Sequence, residues 1–127
     1  MILYITLGTN NLAAATRFYD AVMPTLGLQR RFQNDDEIGY GEPDPARIRF
    51  WVTKPYNGQP ATVGNGSMPA LIAPTRATVD AFHVAGLTAG GTDEGAPGLR
   101  PYGAHFYACY LRDPDGNKIS AVCETAT

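Results

Sequence analysis

Two histidines, two cysteines and two short acidic groups are the side chains here best suited to acid–base, nucleophilic or metal chemistry. A two-histidine, one-carboxylate centre would need His83, His105 and an acid on facing positions. His83 falls in a helical stretch. His105 stands in Gly-Ala-His-Phe-Tyr, where a loop turns into a strand, so it is carried as a ligand candidate rather than a metal donor. Asp113 and Asp115 belong to Asp-Pro-Asp-Gly, and turn chemistry alone explains them. Asp35, Asp36 and Glu37 follow Asn34 and read as a solvated loop. Cys109 and Cys123 lie in apolar, strand-like stretches and read as small buried hydrophobes. Their spacing matches no zinc motif. The sequence carries no Ser-His-Asp or Cys-His arrangement, no phosphate-binding loop and no dinucleotide fingerprint.

The elements that must position any site come from a chain of 127 residues, the size of one domain with its own core. Net charge is −2 and the 10 basic residues are scattered, so no stripe exists to follow a phosphate backbone, and nucleic acid is not an expected partner. Apolar runs fall far short of the roughly 20 residues that a membrane span needs. The opening MILYITLG lacks a basic region and reads as a strand rather than a secretory leader, so the expected compartment is the cytoplasm.

Residues 2–7 form a β-branched run and predict a strand. Asn10 or Asn11 then caps a helix whose apolar face is Leu12, Ala15, Phe18 with Tyr19, and Val22. Pro24 and Gly27 end it. Strands are predicted at 28–32, weakly at 38–41, and at 47–53, with a turn at Pro43-Asp44-Pro45. Residues 54–66 are rich in Gly, Pro and Asn and read as a linker. The chain then restarts with a strand at 68–73 and a helix capped by Thr75, whose expected apolar face is Val79, Phe82, Val84 and Leu87. Gly90-Gly91 ends that helix. A Gly/Pro loop is expected from Thr92 to about Gly103, then strands at 106–111 and 118–123 around the Asp-Pro-Asp-Gly turn.

The two halves echo each other. Shifted by 64, Leu7 falls on Leu71, Ala13 on Ala77, Phe18 on Phe82 and Gly27 on Gly91. Later the shift grows to 71, and Pro43-Asp44 falls on Pro114-Asp115 and Ile48 on Ile119. Strand, helix, turn and final strand agree in order, which points to duplication.

The opening ILYITLGTNNLAAATRFYDAVMPTLGL and the closing FYACYLRDPDGNKISAVCE together resemble the vicinal oxygen chelate superfamily, the glyoxalase, bleomycin-resistance and ring-cleaving dioxygenase relatives. The resemblance spans nearly the whole chain. It implies an α+β fold of one domain, with two βαβββ modules at about 1–55 and 67–124 joined by the 54–66 linker. The sheets would form a curled, open half-barrel with helices outside. It also implies a homodimer.

Metal-using members of such a family take one ligand from the first and one from the last strand of each module, usually His or Glu. Carried over, those positions are Tyr4, Met68, Ser120 and Arg49, or Trp51 on the same face as Arg49. None is a good carboxylate or imidazole donor, and Arg49 would repel a cation. The resemblance therefore implies a metal-depleted member with no cofactor. The expected cup lining is Tyr4, Arg49, Trp51, Met68, His105, Tyr107 and Ser120, a mixture suited to a small organic molecule. Three functions stay open at this point. One is a bleomycin-resistance-like binder. Another is a lyase or dioxygenase-type enzyme of the glyoxalase kind. The third is a regulatory or structural module without ligand.

Overall fold

A computed structural model describes residues 1–43 and 47–127. The first module runs β1 (Ile5–Gly8), α1 (Leu12–Val22), a 3-10 turn (Met23–Leu26), β2 (Gln29–Gln33), β3 (Glu37–Glu42) and β4 (Arg47–Thr53). The second runs β5 (Ala70–Ile72), α2 (Arg76–Thr88), β6 (Thr92–Leu99), β7 (Tyr107–Arg112) and β8 (Lys118–Cys123). Each module makes a four-stranded mixed sheet of the same topology, β1-β4-β3-β2 and β5-β8-β7-β6. In each, the first strand lies parallel to the last and the remaining pairs are antiparallel. The fold is α+β with two βαβββ modules, and the two sheets do not close.

The helices start where capping chemistry places them. Asn11 accepts from the Ala14 amide at 3.0 Å, and Thr75 accepts from the Thr78 amide at 3.1 Å. Asn10 does a different job: its amide group pairs in both directions with the Ala61 backbone, at 3.0 and 2.6 Å. That double bond pins the 54–66 linker onto the β1–α1 loop.

Both helices pack on the same side, and one core runs beneath them. It joins Phe18, Tyr19 and Val22 of α1, Val79 and Phe82 of α2, Phe50 and Val52 of β4, and Leu111, Ile119, Ala121 and Cys123 of the second sheet. Alternation along each strand then assigns the opposite, open face. It carries Tyr4, Arg49, Trp51, Tyr110, Lys118 and Ser120.

Three expectations change. Residues 92–99 form a strand rather than a loop, because β6 is an edge strand. It tolerates Pro97 and is broken by register shifts around Gly95. The buried face of α2 is Val79, Phe82, His83 and Gly86, with Val84 63% exposed and Leu87 42% exposed. The 79, 82, 83, 86 set keeps helical spacing, whereas Val84 is turned away from Val79. The first strand begins later than residue 2, leaving Met1 to Leu3 exposed. Asp44 and Pro45 of the expected turn, and Asp44's match to Asp115, lie outside the described residues.

The Asp113–Asn117 turn is more than a turn. Gly116 supplies the left-handed backbone at φ 93. Asp113 is buried, and its carboxylate accepts from the amides of Asp115 and Asn117, both at 2.9 Å, from Asn117 Nδ2 at 3.0 Å, and from the Tyr19 hydroxyl at 2.6 Å. Asn117 Nδ2 also reaches the Gly8 carbonyl at 2.9 Å. Asp115 accepts from the Thr9 hydroxyl at 2.5 Å and the Asn10 amide at 2.8 Å. The last turn of module two is thereby clasped to the β1–α1 loop and helix of module one.

Burial and the Asp113 carboxylate push the Tyr19 phenol well above its ordinary 10.0. Burial and the hydrogen bond to Asp20 raise Tyr40 too. Tyr19→Phe should cost about 1.5–3 kcal/mol, the worth of a hydrogen bond to a charged group, and Asp113→Ala should cost more, both read by denaturant unfolding. Above pH 10 the unfolded chain releases the phenol protons that the folded chain keeps. Stability should therefore fall with pH there, by up to about 1.4 kcal/mol per unit for each tyrosine. In Tyr19→Phe that slope should shrink by one tyrosine's share. Burial also pushes the Cys109 thiol up to about 11. Iodoacetamide at pH 8 should label Cys109 slowly in the native protein and fully after denaturation, as read by mass spectrometry.

Candidate functional site

A cavity of about 670 Å³ opens where the N-terminal segment meets the start of module two. Ile2 to Ile5 form one side and Met68 to Ile72 the other, with Leu26 to Leu28, Glu42 and Arg49 between them. Its size lies within the roughly 300–1,000 Å³ of small-molecule pockets, and its lining is mostly apolar. Three of the expected positions, Tyr4, Arg49 and Met68, meet in it. They come from the segment before β1, from β4 and from the segment before β5, which alternation turns to the open face.

Arg49 and Trp51 share that face, but only Arg49 lines this cavity. Arg49 Nε donates to both Glu42 oxygens, at 3.0 and 3.3 Å. The guanidinium is thus already partnered, and an incoming anion would compete with Glu42. Trp51 lies over Gly39, in edge contact with Phe32 at 5.5 Å.

The remaining candidates stand elsewhere. Tyr107 follows the parity of Cys109 and Leu111, so it faces the helix side. Its hydroxyl donates to Asp80 at 2.7 Å, and the Arg76 guanidinium lies 5.3 Å from its ring centre. That contact with Asp80 is the first cause raising its phenol pKa. His105 is exposed just before β7 and does not line the junction cavity. Ser120 is on the open face but fully buried, and among the described residues its hydroxyl has no hydrogen-bond partner. The expectation that Tyr4, Met68 and Ser120 share one cavity therefore holds for the first two and not for Ser120. His83 is buried, and its Nε2 meets Asp93 at 2.8 Å, tying α2 to β6.

The four positions that the resemblance implies for metal ligands carry a phenol (Tyr4), a thioether (Met68), a buried hydroxyl (Ser120) and a guanidinium or indole (Arg49 or Trp51). Among the described residues, no group of three or more His, Cys, Asp or Glu is placed to hold a metal ion. These donors do not fit a divalent cation.

A second open-face cavity, of about 560 Å³, lies in module two between Met68, Arg100, Tyr102, Phe106, Tyr110 and Lys118. Local pattern does not point to it, because the Gly- and Pro-rich 92–103 reads as a loop and leaves Arg100 without a sheet to lie against. The alternation of Tyr110 with Cys109 and Leu111 was the available signal.

Among the described residues no helix is long and apolar enough to cross a membrane. The family model for the glyoxalase/bleomycin resistance protein/dioxygenase superfamily matches residues 1–121. The chain is similar to a glyoxalase/bleomycin resistance protein from Albidiferax ferrireducens T118, with 43% identity, 97% of this chain and 98% of that chain covered, and a TM-score of 0.86. A glyoxalase-related enzyme from Fulvimarina pelagi shares 23% identity over 97% of this chain and 87% of that one, with a TM-score of 0.75. A lactoylglutathione lyase from Agrobacterium tumefaciens shares 20% identity over 97% and 92%, with a TM-score of 0.65. The last two likenesses are of fold alone. No curated protein matches the chain. With the family model covering almost its whole length and a 43% identical structure matching end to end, the chain belongs to the glyoxalase/bleomycin resistance protein/dioxygenase superfamily.

Proposed function

We propose that this protein binds a small organic molecule in the junction cavity, without a metal. The observation that carries the reading is the meeting of Tyr4, Arg49 and Met68, three of the positions that the family resemblance implies for ligand contact, in one mostly apolar space of about 670 Å³. The residues that would have coordinated a cation instead supply an aromatic face, a thioether and a guanidinium neutralised by Glu42. Such a lining favours an uncharged, largely apolar ligand oriented by the Tyr4 hydroxyl. Burial of apolar surface supplies the affinity, and the few polar groups fix the pose. The reading includes a homodimer. Ile2 and Ile72, 75% and 88% exposed, stand at the cavity wall, where a second copy would cover apolar surface.

Elemental analysis of the purified protein should find no stoichiometric metal, and nickel, zinc, manganese or iron(II) should not raise its Tm. A thermal-shift screen of neutral aromatic and aliphatic molecules should give hits. At a hundred times its Kd such a ligand adds about 2.7 kcal/mol, enough for a Tm rise of several degrees. Met68→Trp, which fills the cavity, should abolish those hits while keeping the fold. Stoichiometric metal would sink the reading and put a metal enzyme in its place. Light scattering on the eluting protein should give twice the 13.6 kDa chain mass, and a monomer would remove the dimer from the reading.

A further inference from the structure

The second cavity, on the open face of module two, is built differently from the junction cavity. Tyr110 forms its floor, and two cations lie against that one ring. The Arg100 guanidinium is 5.4 Å from the ring centre and the Lys118 ammonium 5.5 Å. Among the described residues no carboxylate pairs with either. The acid that lines the cavity, Glu94, is held by Arg112 Nε at 2.6 Å. The space therefore carries excess positive charge that the fold itself leaves unbalanced.

Arg100 is also held in place. Its Nη2 donates to the Ala96 carbonyl at 2.7 Å, and its Nη1 to the Leu99 carbonyl at 3.3 Å. Glycines make the room for it. A Cβ at Gly95 would come within 3.3 Å of Nη2, and one at Gly98 within 2.9 Å of Nη1. With two backbone carbonyls engaged, the fork still has N–H groups to offer. A positioned guanidinium of this kind is suited to a planar carboxylate. Nearby, Tyr102 and Phe106 form an edge-on pair at 5.3 Å, and Met68 closes one side. Ser120, the register partner of Tyr110, keeps a buried hydroxyl beneath this face that has no partner among the described residues.

We infer that this cavity is an anion site for an aryl carboxylate, with the carboxylate on Arg100 and Lys118 and the ring against Tyr102 and Phe106. About 560 Å³ is far more than a bare inorganic anion fills, and the aromatic wall gives the extra space a use. The site shares only Met68 with the junction cavity, so a failure there leaves this inference standing.

The test is a titration of the full chain with benzoate, followed by the backbone amide NMR shifts of Gly95 and Gly98. Benzamide serves as the neutral counterpart and sulfate as the bare anion. Benzoate should move both amides saturably. Benzamide should bind about tenfold more weakly or worse, as loss of a charge-assisted contact requires. Arg100→Gln should weaken benzoate by a similar factor, Lys118→Gln several-fold, and added salt should weaken it further. Equal binding of benzoate and benzamide would overturn the inference. So would unchanged affinity in both variants, or sulfate binding as tightly as benzoate.

Discussion

The Asp113 carboxylate is buried with four donors aimed at it, and one of them, the Tyr19 hydroxyl, comes from the other module. A buried charge without partners would be prohibitively costly, so this geometry is one the chain must satisfy in full. Satisfying it sets the second module's last turn against the first module's helix. Asn117 and Asp115 extend the clasp to Gly8, Thr9 and Asn10. Asn10 in turn fixes the linker through Ala61. The start of β5 is then held beside the start of β1, and the junction cavity is the space left between them.

The two open-face cavities meet at Met68 and differ in electrostatics. In the first, Arg49 is neutralised by Glu42, and the walls are mostly aliphatic apart from Tyr4. In the second, two cations share one tyrosine ring while the nearby acid is held by Arg112. One duplicated scaffold thus presents a nearly neutral space and a positive one. The difference lies in which strand neighbour carries the carboxylate, since β3 supplies Glu42 opposite Arg47 and next to Arg49, while β6 supplies Glu94 to Arg112 instead.

Much of the fold was legible from local pattern. A helix cap at Asn10 or Asn11, another at Thr75, the helical face through Phe18 and Tyr19, and the alternation in 47–53 are short-range signals that survive folding. The duplication showed because both modules need the same aromatic at Phe18 and Phe82 in one shared core. Where reading failed, the signal was non-local. β6 carries Gly and Pro because it is an edge strand with register shifts, and only its pairing with β7 reveals that. Val84 and Leu87 are apolar yet exposed, and residue type alone placed them on the wrong side of α2.

The sequence by itself determined the turn and cap positions, most of the strands, both helices and the echo between the two halves, because residue type and local periodicity act over a few residues. The complete βαβββ modules, and the placing of Tyr4, Met68, Ser120 and Arg49 or Trp51 at metal positions, were implied by the family resemblance and not by local pattern. The tertiary structure alone decided that Asp113 and Asp115 serve as an inter-module clasp rather than only a turn, that Tyr107 bonds to α2, and that Ser120 is sealed while Met68 divides two cavities. Each of these depends on which side chain ends up opposite another after about a hundred intervening residues or a neighbouring strand. Period and propensity carry no information about such partners, because hydrogen bonding and burial are settled only when the two modules pack together.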